Sequence, residues 1–197
     1  MESCEYYNSF LALNPTIAVI LNIEADHLDF FKDIEDIKHS FRQFAERVPA
    51  ETGTVIANCD DANTMDALRG IERKVITFGL SPKADVYAEN IMHRGSSSEF
   101  DIYHQGNLFA HVTIHVPGIH NVRNALAATA AAIVLGARLL IDNGTALAQM
   151  VGVPDAIIGA TMIAIGTSLP ELVTTITAIR KKQSSLSVGN IIGANIM

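Results

Sequence analysis

An apolar segment near the C-terminus constrains the fold of this chain more than any other feature. The segment "AIIGATMIAIGTSLPELVTTITAI" occupies residues 156–179, and its only ionisable side chain is Glu171. A helix of about 20 apolar residues is long enough to cross the hydrocarbon core of a bilayer. The segment therefore predicts a transmembrane helix, with a buried helical hairpin in a soluble protein as the alternative. Arg180, Lys181 and Lys182 follow it and predict that this end faces the cytoplasm.

Charge divides the chain into two parts. Residues 1–134 carry ten Lys/Arg and 18 Asp/Glu, a net charge of −8, together with all seven histidines. Residues 135–197 carry four Lys/Arg and three Asp/Glu, a net charge of +1. The abrupt change predicts two domains in different physical environments, which we place at 1–135 and 136–197. The acidic first part argues against a nucleic-acid partner, because phosphate binding needs a basic surface.

The two cysteines, Cys4 and Cys59, lack the short spacing of a metal motif. They predict neither a disulfide framework nor a zinc site, and a reducing cytoplasm is the default compartment for them. The N-terminal residues have neither the basic region nor the apolar region of a signal peptide.

Strands and helices alternate along the first part. Continuous β-branched runs predict strands at 16–23, 53–58 and 74–79, and apolar residues at helical spacing predict a helix at 33–48 and a shorter one at 64–71. This order predicts an α/β fold with a mostly parallel sheet. Glycine turns within 84–116 predict a β-meander, and an Ala-rich helix over 120–136 follows, capped by Asn121 or a neighbour.

Polar clusters flank these elements. Glu2 and Glu5 lie at the start of the chain, and "EADHLD", with Asp26 and His27, follows the first strand. Ligands of open α/β sheets bind beyond the carboxyl ends of strands, so carboxylates and a histidine there could hold a divalent cation. A helix cap with a solvated histidine is the alternative.

A second polar cluster opens the Ala-rich helix, with His120, Asn121 and Asn124. An asparagine amide offers both a donor and an acceptor, which suits the edge of an adenine base. An ordinary N-cap is an equally good interpretation of "HNVRN".

Three segments, "ESCEYYNSFLALNPTIAVILNIEADHLDFF", "VITFG" and "VPGIHNVRNALAATAAAI", resemble the central domain of the Mur ligases. The nearest resemblance, over about residues 2–135, is to the UDP-N-acetylmuramate–L-alanine ligases of peptidoglycan biosynthesis. The resemblance implies ATP, magnesium and a UDP-sugar as ligands, with an acyl-phosphate intermediate that an amino acid attacks. It implies magnesium-site roles for Glu2 and His27 and an adenine pocket at His120, Asn121 and Asn124.

The family's phosphate-binding motif, GxxxxGK[ST], does not occur in the 197 residues. In the family this loop precedes the segment "ESCEYYNSF", and further domains bind the UDP-sugar and the amino acid. Without the loop's amides and lysine, phosphoryl transfer loses its main electrostatic stabilisation. We therefore expect no ligase activity from this chain alone and assign no catalytic residue.

The second part carries "GTSLPE" at 166–171 and "GNIIGANI" at 189–196. These motifs resemble an α-repeat of the sodium/calcium exchanger superfamily. The resemblance implies half of an all-α transmembrane repeat in which Thr167, Ser168, Glu171 and Asn190 coordinate sodium or calcium. Glycine and proline that interrupt an apolar helix free backbone carbonyls for ions, and an intramembrane carboxylate is a functional site by default. Because exchangers use two repeats, we expect no ion exchange by the monomer.

The two resemblances meet at "AIVLGARLL", residues 132–140, without a linker. The sequence therefore predicts a chimera: a ligase fragment fused to part of a cation antiporter, held in a bacterial cytoplasmic membrane with residues 1–135 in the cytoplasm. The alternative is a membrane-embedded antiporter-like protein with a vestigial Mur-like domain. No protein partner is predicted.

Overall fold

The computed structural model describes residues 3–161, and a six-stranded sheet forms the centre of its first part. Strands neighbour one another in chain order: β1 (Ile17–Ile20), β2 (Thr54–Asn58), β3 (Val75–Gly79), β4 (Val86–Arg94), β5 (Ser97–His104) and β6 (Asn107–Ile114). The pairs from β1 to β4 are parallel, and β4 pairs with β5 in the antiparallel direction. The predicted parallel sheet followed by a β-meander is confirmed.

Several α-helices and a 3₁₀ helix accompany the sheet in the described part of the chain. A 3₁₀ helix spans Tyr6–Ala12, and the α-helices are α1 (Ile34–Glu46), α2 (Ala62–Ala67) and α3 (Ile119–Met150). Asp33 caps α1 by accepting from the Asp36 amide, and Asp61 caps α2 by accepting from the Thr64 amide. Side-chain caps of this kind satisfy donors that a helix start leaves without intrahelical partners. Residues 155–161 are helical as well.

Two hydrophobic clusters cover the two faces of the sheet. Val55 and Ala57 of β2 pack in a cluster with residues of α1 and α2, whereas Ile56 packs in a cluster with residues of α3. Because successive strand residues point to opposite faces, α1 and α2 cover one face of the sheet and α3 covers the other. This gives a three-layer α/β/α arrangement.

Helix α3 changes character along its length. Its buried residues are Val122, Leu126, Ala127, Ala130 and Val134, a stripe at helical spacing. Beyond this stripe the large apolar side chains are at least half exposed: Leu135, Leu139, Leu140, Ile141 and Leu147. Among residues 3–161, α3 is the one helix long and apolar enough to cross a membrane.

The predicted end of this helix at Gly136 is wrong, since α3 continues to Met150. A Cβ added at Gly136 would meet no atom within 4 Å, and good helix formers surround it. One glycine inside a helix costs only about 1 kcal/mol, which such neighbours offset.

The chain divides into two compact units, one of residues 1–106 and 110–134 and the other of residues 107–109 and 135–197. The first unit contains the two hydrophobic clusters. Of the second unit, the structure describes residues 107–109 and 135–161. The predicted span 156–179 lies mainly beyond the described residues.

Candidate functional site at the carboxyl edge of the sheet

Asp60 joins three elements at the carboxyl edge of the sheet. It follows β2, and its Oδ2 accepts a hydrogen bond of 2.8 Å from the amide of Leu80, just after β3. The guanidinium Nε of Arg123, in the first turns of α3, lies 3.4 Å from the same oxygen. The start of α3 is therefore anchored to the edge at which β2 and β3 end.

The loop after β1 is anchored at the same edge. The Asn58 side chain donates to the Leu21 carbonyl over 2.9 Å, and the Asn63 side chain donates to the Ile23 carbonyl over 2.9 Å. The Ile23 amide in turn donates to Asp61 over 3.1 Å. These bonds hold the start of the loop that carries His27.

His120, Asn121 and Asn124 lie in the first turns of α3, as the sequence predicts. Of the two predicted alternatives for the cap, Asn121 or a neighbour, Asn121 is excluded because it is the third residue of a helix that begins at Ile119; its side-chain amide donates to the Pro117 carbonyl over 2.7 Å. The position before the helix belongs to a neighbour, Gly118, whose carbonyl accepts from the Asn121 and Val122 amides.

Gly118 has a φ of +104°, in the region that favours glycine. A Cβ at this position would lie 2.8 Å from Cε1 of His120. Glycine therefore lets the His120 ring sit over the helix start, while His120 and Asn124 remain exposed.

His27 is brought together with residues that precede the sheet. Its Nε2 lies 3.7 Å from Oε1 of Glu5 and 4.0 Å from Oδ2 of Asp26. The ligand atoms of Cys4, Glu5 and His27 all lie within 4.8 Å of one another. Glu2, the other predicted magnesium residue, lies outside the described residues.

The position of Cys4 in this cluster does not follow from the cysteine spacing in the sequence. Cysteine spacing detects ligands that are near in sequence, whereas Cys4 and His27 meet through the fold. The structure gives both cysteines as free thiols, with Cys4 exposed and Cys59 half-buried.

Tyr6 packs beside His27 and fixes its surroundings. The two rings stack with centroids 4.6 Å apart, and the Tyr6 hydroxyl donates to Asp29 Oδ2 over 2.6 Å. This hydrogen bond raises the pKa of Tyr6 to about 12 and holds the pKa of Asp29 below its ordinary value. His27 itself has a φ of 53°, and its carbonyl accepts from the Phe30 and Phe31 amides at 2.9 Å.

Among the described residues, the donor set around His27 does not match magnesium well. Mg²⁺ prefers six oxygen ligands, whereas the described atoms within 4.8 Å of one another are one sulfur, one imidazole nitrogen and one carboxylate oxygen. Sulfur and nitrogen donors are typical of zinc and related ions. The predicted sodium/calcium ligands Thr167, Ser168, Glu171 and Asn190 lie outside the described residues.

Comparison with protein-family models gives two matches. The model of the Mur ligase middle domain matches residues 2–132. The model described as sodium/calcium exchanger protein matches residues 125–197. The two matches overlap within α3.

Curated relatives and solved structures resemble the first part. The UDP-N-acetylmuramate–L-alanine ligase of Caldanaerobacter subterraneus subsp. tengcongensis is 47% identical over 137 residues, which is 68% of this chain and 29% of that protein. The chain thus spans about three-tenths of such relatives.

Two solved structures also resemble the first part of the chain. MurF from Acinetobacter baumannii has a TM-score of 0.57 at 27% identity, over 65% of this chain and 28% of that one. The UDP-N-acetylmuramate:L-alanyl-gamma-D-glutamyl-meso-diaminopimelate ligase from Neisseria meningitides has a TM-score of 0.57 at 30% identity, over 65% and 38%. With its α/β/α layers and its sheet edge joined to the start of α3, the chain belongs to the Mur ligase middle domain family.

Proposed function

We propose that residues 2–132 bind an adenine nucleotide at the carboxyl edge of the sheet, as the middle domain of a UDP-N-acetylmuramate–L-alanine ligase does. The ion pair between Arg123 and Asp60 carries this proposal, because it joins the start of α3 to the ends of β2 and β3. Ligands of open α/β sheets bind at this edge.

Three side chains at the start of α3 supply the proposed recognition of adenine. His120 and Asn124 are exposed there, and Asn121 keeps its carbonyl oxygen as an acceptor while its amide donates to Pro117. An amide beside an adenine edge accepts from the exocyclic amine and donates to a ring nitrogen. Magnesium bound by Glu2 and His27 remains a prediction from the resemblance, and a UDP-sugar remains its proposed partner substrate.

Calorimetry with ATP and magnesium on the full chain in detergent tests nucleotide binding. We expect Asn124→Ala to weaken binding by about two- to tenfold, the range for one net hydrogen bond. Asn143→Ala is the matched control, because Asn143 is an exposed asparagine of the same helix whose side chain donates to the Leu139 carbonyl. Absent binding by the unaltered chain, or equal losses in both variants, would contradict the proposal.

A polypeptide of these 197 residues is proposed to bind nucleotide without performing ligation. The sequence contains no GxxxxGK[ST] loop to stabilise charge on the transferring phosphate. A coupled assay of ADP release with UDP-N-acetylmuramate, L-alanine and ATP is expected to show no turnover above the protein-free rate. Turnover at an ordinary enzymatic rate would refute this.

The second candidate is that residues 125–197 form one repeat of a cation antiporter. The exposed apolar side chains after Val134 and the match to the exchanger model favour it. Thr167, Ser168, Glu171 and Asn190 are the proposed sodium or calcium ligands. Because one repeat provides half of a coordination shell, we expect no sodium-driven calcium uptake in proteoliposomes of the monomer. Uptake that Glu171→Gln abolishes would show that one chain suffices.

We further propose that the chain is a fusion of two gene fragments. The overlap of the two family matches at residues 125–132 supports a join inside α3. Sequencing across codons 130–140 in the source genome tests this, and a reading frame interrupted there would refute it.

A further inference from the structure

We propose that Cys4, Glu5 and His27 form a binding site for a borderline-soft divalent cation, with zinc as the type ion. The three ligand atoms lie within 4.8 Å of one another, although Glu5 and His27 are 22 positions apart in the sequence. The cluster offers one sulfur, one carboxylate oxygen and one imidazole nitrogen. This inference does not depend on nucleotide binding or on the membrane part.

The spacing of the donor atoms suits a tetrahedral ion. Bonds of about 2.0–2.3 Å at tetrahedral angles hold ligand atoms roughly 3.3–3.7 Å apart. Nε2 of His27 and Oε1 of Glu5 are already 3.7 Å apart. The thiol of Cys4 is on an exposed residue, so a side-chain rotation can complete the third contact without moving the core.

Backbone hydrogen bonds hold both segments that carry the ligands. The Cys4 carbonyl accepts from the Phe10 amide over 3.1 Å, and the Glu5 carbonyl accepts from the Asn8 amide over 2.7 Å. On the other segment, the His27 carbonyl accepts from two amides and the His27 ring stacks on Tyr6. Preorganisation of this kind reduces the conformational entropy that ion binding must overcome.

The charges around the site favour a cation. Glu5 contributes one carboxylate, and Asp26 contributes a second at 4.0 Å from the imidazole. Cys4 adds a third negative charge when the ion displaces the thiol proton to solvent, as metal binding to cysteine requires. Three protein ligands leave one position of a tetrahedral ion open, which is typical of zinc sites that also hold water or a substrate atom.

The sulfur atom separates this site from the magnesium site that the family resemblance implies. Magnesium gains little from thiolate, whereas zinc and cobalt bind it strongly. The two sites share His27 but differ in the other ligands, since the resemblance uses Glu2 in place of Cys4 and Glu5. Substitutions at Glu2 and at Cys4 therefore distinguish them.

Cobalt titration of the untagged, reduced full chain in detergent tests the proposal. Co²⁺ replaces zinc in such sites and reports sulfur ligation by a charge-transfer band in the near ultraviolet. We expect the band to saturate at one ion per chain, to be displaced by Zn²⁺ and to persist in excess Mg²⁺. Absence of the band in the unaltered chain would overturn the proposal.

Variants identify the ligands. Cys4→Ser is expected to abolish the charge-transfer band and His27→Ala to weaken cobalt binding at least about tenfold, the scale on which perturbing a metal site acts. Cys59→Ser is the matched control, because Cys59 is half-buried and no part of the cluster. Glu2→Gln is expected to leave the band unchanged. A band that survives Cys4→Ser or disappears in Cys59→Ser overturns the assignment.

Discussion

Asp61 shows how one side chain can hold a loop and a helix together. Its Oδ2 accepts from the Thr64 amide at 2.8 Å, from the Thr64 hydroxyl at 2.5 Å and from the Ile23 amide at 3.1 Å. Thr64 is fully buried, so the loss of its partner leaves buried donors unsatisfied. Asp33 makes a simpler cap on α1, with one bond to the Asp36 amide in an exposed setting.

We therefore expect Asp61→Ala to lower the free energy of unfolding by about 2–3 kcal/mol and Asp33→Ala by about 1 kcal/mol. Urea unfolding followed by near-ultraviolet circular dichroism measures both, since all four tyrosines lie before residue 134. Equal losses in the two variants would show that the bond to Ile23 and the buried hydroxyl contribute nothing.

The hydrogen bond between Tyr6 and Asp29 makes the first unit sensitive to pH at two extremes. It lowers the pKa of Asp29 from 3.8 and raises the pKa of Tyr6 from 10.0 to about 12. The lowered carboxyl pKa stabilises the fold above pH 3.8, and this contribution is lost as the pH falls through the lower folded value. The raised hydroxyl pKa stabilises the fold below pH 10.0, and this contribution is lost as the pH rises through about 12.

Tyr6→Phe removes the donor, so we expect the pKa of Asp29 to rise back toward its ordinary value. Carboxyl ¹³C chemical shifts followed from acid to neutral pH measure this directly. Tyr7→Phe is the control, because the hydroxyl bonded to Asp29 belongs to Tyr6. An unchanged Asp29 titration in Tyr6→Phe would show that another group lowers this pKa.

The sequence identified His27 from its place after a strand and noted Glu5 at the start of the chain, but it did not predict that Cys4 joins them. The run of β-branched residues indicated this strand, although the strand ends at Ile20, three residues before the predicted end. The approach of Cys4 and Glu5 depends on left-handed backbone at Tyr7 and Asn8, with φ of 54° and 57°. This conformation is uncommon for tyrosine, although asparagine adopts it more readily than most residues, so tertiary packing rather than local sequence selects it at Tyr7.

Helix α3 offers a matched pair of leucines for measuring its two environments. Leu126 is fully buried against the sheet, whereas Leu139 is 55% exposed. We expect Leu126→Ala to destabilise the first unit by about 2–5 kcal/mol, because it leaves a cavity. We expect Leu139→Ala to change the same transition by less than about 0.5 kcal/mol. Unfolding curves followed by near-ultraviolet circular dichroism in detergent compare the two variants. Similar losses of stability in both would contradict a change from buried to exposed side chains after Val134.

The sequence predicted the other elements with different accuracy. The strands β2 and β3 begin within a residue of their predicted positions, because apolar β-branched runs and polar stops mark them. The turn between β5 and β6 takes positive φ at Gln105 and Gly106, which matches the two-residue hairpin that the glycine indicates. The length of α3 was not predicted, since Gly136 resembles a stop signal that its helix-forming neighbours override.

In the whole molecule, the two family matches lie on one continuous polypeptide, and the two parts differ in how they bury apolar residues. The first unit buries its apolar residues against a sheet, whereas the described part of the second exposes apolar residues along α3. Exposed apolar surface of this extent is typical of contact with lipid or another protein. We expect the full chain to remain in the membrane pellet after alkaline carbonate extraction. Its release into the supernatant, with a peripheral membrane protein as the control, would contradict membrane insertion.

Helix α3 covers one face of the sheet and also carries exposed apolar residues. This affects how the chain folds while it is being synthesised. All six strands have been made by residue 114, but the residues that cover one face of the sheet extend to Val134. At a synthesis rate of roughly 5–20 residues per second, those last 20 residues take about 1–4 s. Throughout that interval Phe78 and Phe100 lack their cover, and the apolar residues after Val134 follow directly behind. We expect a chaperone or the membrane insertion machinery to bind the exposed apolar residues of such a nascent chain.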